Sequence, residues 1–114
     1  MANQALTEAV YYILLSLTDP LHGYGIMQNV EKLSNGRVRL AAGTLYGAIN
    51  TLLEKNWITA LPGEKDSSFP DKRENRKKEY QITPEGRLAL MDEIARLTEL
   101  LENGKKLFGG KSDA

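Results

Sequence analysis

The stretch LAAGTLYGAINTLLEKNWI, residues 40–58, decides how this chain is read. Leu45, Ile49, Leu52 and Leu53 recur at i, i+4, i+7 and i+8, the spacing of a helix face made for a core. Thr44, Tyr46, Gly47, Asn50 and Thr51 lie between them, and no charge appears before Glu54. An outward helix face is ordinarily crowded with Lys and Glu. This one carries hydroxyls, an amide and a glycine instead, so its purpose has to be found in the elements around it.

On the N-terminal side, Leu6, Ala9, Val10, Ile13, Leu14 and Leu17 predict a helix over residues 5–18. Tyr11, Tyr12 and Leu15 make its other face apolar as well, which points to burial on both sides and hence to a second subunit. Asp19-Pro20 breaks that helix. Ile26, Met27, Val30 and Leu33 predict a short second helix over 24–33, closed by the turn residues Ser34, Asn35 and Gly36. Arg37 to Leu40 alternates and reads as a minimal strand. The opening stretch supplies the third helix, over 42–56, with Asn56 as its left-handed terminator.

On the C-terminal side, β-formers at 57–61 and 78–82 flank the polar segment 62–77, two strands around a basic loop. Thr83-Pro84-Glu85 then starts a helix, with Thr as N-cap and Pro in the first turn. Leu90, Ile94, Leu97 and Leu101 step by the a/d rhythm of a coiled-coil seam. Asn103-Gly104 predicts its end near residue 102, followed by a frayed tail.

The order is helix, helix, strand, helix, strand, loop, strand, long helix. It predicts a mainly α (α+β) fold: a winged helix-turn-helix with a two-stranded wing and a C-terminal dimerisation helix. Residues 1–83 would form the DNA-binding domain and 84–114 the dimerisation helix and tail, as one compact unit. In such a motif the second helix of the pair enters the major groove. Acids there would repel phosphate, and long cations would attract DNA without discriminating bases. Small hydrogen-bonding groups suit a reading face.

Composition narrows the function classes. The 114 residues are 41% apolar and 26% charged, which fits one folded domain and argues against disorder. With no cysteine there is no disulfide framework or thiolate metal site, and a reducing cytoplasm is the natural setting. No apolar run approaches the ~20 residues that span a bilayer, and no basic stretch followed by an apolar one suggests a secretory signal. Net charge is zero, but it is unevenly spread. Residues 1–36 hold one basic residue against three acids, whereas five of the seven residues in KRENRKK, 72–78, are basic. His22 is the only histidine, with no metal-ligand partners in sequence. Ser16 and Ser34 lack a base at defined spacing, Asp92 and Glu93 read as a solvated helix face, and no phosphate-binding glycine loop occurs. No enzyme, cofactor or metal is expected.

Three motifs in order resemble the PadR family of bacterial transcriptional regulators, in its shorter form with one C-terminal helix. HGYGIMQNVEKL (22–33) is similar to the family's second-helix signature, with the Gly-Tyr pair at Gly23-Tyr24. AAGTLYGAINTLLEKNWI (41–58) resembles its recognition helix, commonly Ser-Pro-Gly-Thr-Leu-Tyr-Pro. Gly43, Thr44, Leu45 and Tyr46 match that pattern, and Ala41, Ala42 and Gly47 depart from it. RKKEYQITPEG (76–86) resembles the second wing strand and the start of the last helix, through Lys77, Lys78, Tyr80, Thr83 and Gly86.

The resemblance implies a homodimer that binds double-stranded DNA at a palindromic operator, usually as a repressor. Some relatives are released by flat hydrophobic effectors near the dimer interface, and in multidrug-responsive members an aromatic of the last helix stacks on the drug. Here the single Trp, Trp57, lies elsewhere, and the last helix has no aromatic before Phe108. The expected DNA contacts are Thr44, Tyr46, Asn50, Thr51, Tyr24, Arg76, Lys77 and Lys78. The expected dimer surface is Leu6, Tyr11, Tyr12, Leu15, Leu90, Ile94, Leu97 and Leu101. An effector, small and hydrophobic, would sit among Tyr11, Leu15, Met91 and Ala95, where a small side chain opposite aromatics leaves room. The alternative is a winged-helix protein-interaction or ligand-sensing module without its own operator, a reading that the zero net charge favours.

Overall fold

A computed structural model describes residues 5–62 and 78–109. The elements are α1 (Glu8–Ser16), β1 (Leu21–His22), α2 (Gly23–Leu33), α3 (Ala42–Glu54), β2 (Ile58–Leu61), β3 (Glu79–Ile82) and α4 (Pro84–Leu107). This is the expected winged helix. The core joins Ile13, Leu14 and Leu17 of the first helical segment to Ile26, Val30, Leu45, Ile49 and Leu52, with Ile58, Tyr80, Ile82 and Leu90 closing it. The apolar positions that defined the third helix are therefore the ones it buries.

The sheet differs from the expected two-stranded wing. It has three antiparallel strands in the order β1-β3-β2. Leu21 and His22, read from sequence as part of a turn after Asp19-Pro20, pair with Tyr80 and Glu79. Two residues carry no periodicity, so only the arrival of β3 reveals them as a strand. The minimal strand expected at 37–40 does not form. Its alternation is satisfied otherwise: Val38 and Leu40 pack against the core, and the buried Ser34 hydroxyl accepts from the Val38 N–H at 3.0 Å.

Helix ends follow their caps. α1 starts at Glu8 rather than residue 5 because the Thr7 hydroxyl accepts from the Val10 N–H, at 3.1 Å, and so takes the N-cap. Asn35 and Gly36 adopt left-handed backbone after α2, and Asn56 does so after α3. Thr83 caps α4 by accepting from the Gly86 N–H at 3.0 Å, with Pro84 behind it. α4 runs through Asn103-Gly104 to Leu107, five residues further than expected. One glycine costs a helix about 1 kcal/mol, and Lys105 and Lys106 sit favourably against the C-terminal dipole. The tail beyond 109 lies outside the described residues.

Glu93 is also placed differently. It is buried, 5% exposed, rather than on a solvated face. Its carboxylate accepts from Arg96 Nε at 2.8 Å and Nη2 at 2.7 Å, and from the Leu6 N–H at 3.3 Å. It thereby ties the segment before α1 to α4.

Candidate nucleic-acid interface

α3 is held by its buried face, which leaves Gly43, Thr44, Tyr46, Gly47, Asn50 and Thr51 exposed on one surface. Ala41, at the N-cap position, offers no side-chain acceptor. The first N–H groups of α3 therefore point outward uncapped, an arrangement that attracts anions. A β-carbon built at Gly43 or Gly47 would meet nothing within 4 Å. Neither glycine is needed for packing inside the chain, although each weakens the helix.

Tyr24 and Tyr46 come together beside this surface. Gly23 permits it, since a β-carbon there would collide with the Tyr46 hydroxyl. His22, Gly23, Tyr24, Tyr46 and Lys78 line one cleft of about 260 Å³. Tyr24 is 64% exposed and Tyr46 45%, so both hydroxyls can reach a partner. Beneath them Tyr80 is buried, and burial first, then the neighbouring Tyr46, raises its phenol above the ordinary value. It stays protonated and structural.

His22 is a member of this cleft that the sequence reading set aside once metal binding was dismissed. Its Nδ1 caps α2 by accepting from the Gly25 N–H at 3.1 Å. In the neutral ring that leaves the proton on Nε2, a donor suited to a phosphate oxygen. The available signal was its position immediately before a helix start.

The expected DNA contacts separate into groups. Thr44, Tyr46 and Asn50 share the outer surface of α3, and Tyr24 and Lys78 meet Tyr46 in the cleft. Thr51 is also exposed, but its hydroxyl donates to the Gly47 carbonyl at 3.2 Å and it lines a groove on the far flank of α3. Arg76 and Lys77 lie outside the described residues.

The expected dimer and effector residues also divide. Ile94, Leu97 and Leu101 are exposed, and so are Leu88, Met91, Leu100, Leu107 and Phe108. Leu90 belongs to the chain's own core at 6% exposure, while Leu6, Tyr11, Tyr12 and Leu15 are half-buried against it. Tyr11 and Tyr12 meet edge to face with ring centres 5.7 Å apart. Leu15 lines a groove that opens toward Asn29 and Lys32 of α2. Met91 and Ala95 are exposed on α4.

The family model described as "Transcriptional regulator PadR-like family" matches residues 12–92. Among solved structures, a transcriptional regulator from Clostridium thermocellum superposes with a TM-score of 0.66 at 24% identity, covering 89% of this chain and 88% of that one. A PadR family transcriptional regulator from Eggerthella lenta gives 0.65 at 22%, covering 86% and 79%. Bacillus subtilis PadR, in complex with operator DNA, gives 0.62 at 20%, covering 81% and 49%. These identities speak to the fold. A curated relative, the "Uncharacterized 37.1 kDa protein in transposon TN4556" of Streptomyces fradiae, is 32% identical over 94 residues, 82% of this chain. The chain spans about a quarter of that protein's length, 24%. Among the described residues no helix is long and apolar enough to cross a membrane.

Proposed function

The chain belongs to the PadR-like family of transcriptional regulators, and from that premise we propose that it binds a palindromic operator as a homodimer and represses transcription. The outer face of α3 reads base edges through Thr44, Tyr46 and Asn50. The cleft of His22, Tyr24, Tyr46 and Lys78 holds the phosphate backbone, with the remaining wing cations beside it. Its role is regulatory rather than enzymatic.

The observation that carries this reading is the pair of unneighboured glycines, Gly43 and Gly47, on an α3 surface without a single charge between Ala41 and Leu53. A helix weakened for no internal reason fits close approach by something outside the chain. Groove edges approach a helix backbone in this way and reward small polar groups. The test is Gly47→Ala. Filling an exposed helical glycine should stabilise the fold by about 1 kcal/mol, while the added methyl stands where DNA would lie. Gel shifts on DNA from just upstream of the protein's own gene should show operator affinity falling about tenfold or more. Unchanged operator binding by the stabilised variant would defeat the proposal.

The dimer is supported by the exposed seam of Ile94, Leu97 and Leu101 and by the half-buried Tyr11, Tyr12 and Leu15 of α1. We place residues 1–83 as the DNA-binding unit and 84–114 as the dimerising helix and tail. A small hydrophobic effector would enter where α1 meets the partner's α4, among Tyr11, Leu15, Met91 and Ala95. Binding there would shift the angle between the two reading helices and so release DNA.

A further inference from the structure

A second groove has a different chemistry and lies on the opposite flank of α3 from the Tyr24–Tyr46 cleft. It encloses about 230 Å³ between the segment leading into α1, the C-terminal half of α3, and Trp57. Leu6, Val10, Ala48 and Leu52 supply apolar walls, and Lys55 and Trp57 close one end. The hydroxyls on its rim are already engaged: Thr7 accepts from the Val10 N–H, and Thr51 donates to the Gly47 carbonyl. Lys55 is the one charged residue in the lining. Its ammonium stands 4.8 Å from the centre of the Trp57 ring, and among the described residues no carboxylate pairs with it.

We propose that this groove binds a small, flat, apolar carboxylate, with its ring against Trp57 and Leu52 and its anion on Lys55. The volume suits one or two rings. The apolar walls select against highly polar solutes, and the single unpaired cation selects an anion over a neutral or cationic analogue. The groove is also built into the frame of the molecule. Its N-terminal wall is fixed by the Leu6 N–H bond to Glu93 of α4. Trp57 is fixed through its backbone, whose carbonyl accepts from the Thr83 N–H at 2.9 Å and packs against Gly86 at the start of α4. An occupant would therefore touch the reading helix and both anchors of the terminal helix. The site is distinct from the α1–α4 effector position, and its occupancy can be measured without DNA.

Trp57 is the chain's single tryptophan, so its indole N–H gives one resonance in a ¹⁵N-labelled sample of the full chain. The probe is 4-ethylbenzoate, compared with 4-ethylbenzyl alcohol and 4-ethylbenzylamine at low salt. The acid should move the indole resonance saturably and bind about threefold to fivefold tighter than the alcohol, the worth of one partly exposed ion pair. Lys55→Gln, a surface exchange, should erase that advantage and leave the alcohol's affinity unchanged. Ala48→Leu should fill the groove and remove both responses while the rest of the amide spectrum is retained. The proposal is overturned if the acid gives no saturable shift by ~10 mM, the weak limit for a fragment of this size. It is equally overturned if the three probes bind alike, or if Lys55→Gln keeps the preference for the acid.

Discussion

Two glycines show how differently the same residue type is used. Gly86 sits at the third position of α4, where a β-carbon would run into the backbone carbonyl of Trp57. Backbone cannot swing aside, so Gly86→Ala should destabilise by at least about 2 kcal/mol, read as a lower urea midpoint at unchanged slope. Gly23 is close to a side chain instead. There the obstacle is the far end of Tyr46, which can rotate away. Gly23→Ala should change the melting temperature little yet weaken DNA binding, because Tyr46 no longer meets Tyr24 and Lys78 in one cleft. If Gly23→Ala lowers stability as much as Gly86→Ala, the Tyr46 contact is structural rather than a device for positioning a DNA contact.

At the scale of elements, the join between α1 and α4 depends on a buried carboxylate. The paired hydrogen bonds from Arg96 lower the Glu93 pKa most, opposed by burial and aided by the Leu6 N–H. Because the folded value lies below the ordinary 4.5, this contribution is complete at neutral pH, above the unfolded value. It is lost as pH falls through the depressed folded value. Denaturation between pH 7 and pH 3 should show a parent stability that declines below the usual carboxylate range. Glu93→Gln should start about 1–2 kcal/mol lower at pH 7 and lack that part of the decline. Parallel pH curves for the two proteins would remove Glu93 from this role.

At the scale of the whole molecule, α4 spans 24 residues, about 36 Å, and its distal half is exposed along Ile94, Leu97, Leu100 and Leu101. Gly104 continues the same three–four spacing with open space around it, and Phe108 follows four residues later. Each large side chain buried between subunits should contribute roughly 1.5–3 kcal/mol. Leu97→Asp should therefore give a monomer by sedimentation at micromolar concentration. The core lies nearer the start of α4, so the variant's far-ultraviolet spectrum should change little. A wild-type protein that sediments as a folded monomer would end the dimer proposal. In DNA binding, Lys78→Ala should weaken operator and random DNA alike. It should reduce the slope of log affinity against log salt by ~0.9 per subunit, about 1.8 for a dimer. A changed base preference with an unchanged slope would make Lys78 a reader, not an anchor.

Periodicity and local chemistry alone determined much of this protein. The buried faces of α2 and α3, the caps at Thr83 and Asn56, the strands after Trp57 and the winged-helix order were all legible. Each depends on neighbours within a few residues, where sequence spacing and spatial spacing agree. So was the unusual outer face of α3, since an absence of charge can be read directly. What required the fold were contacts made by residues far apart in sequence. Leu21 and His22 become a strand only because β3 arrives beside them. Leu90 follows the seam rhythm of α4 but turns into the chain's own core, and Glu93 looks like a surface acid until Leu6, 87 residues away, donates to it. The cleft joining His22 to Lys78 and the groove joining Leu6 to Trp57 belong to the same class. Chain separation hides such meetings, and only tertiary packing, by bringing distant backbone and charge into one low-dielectric place, decides them.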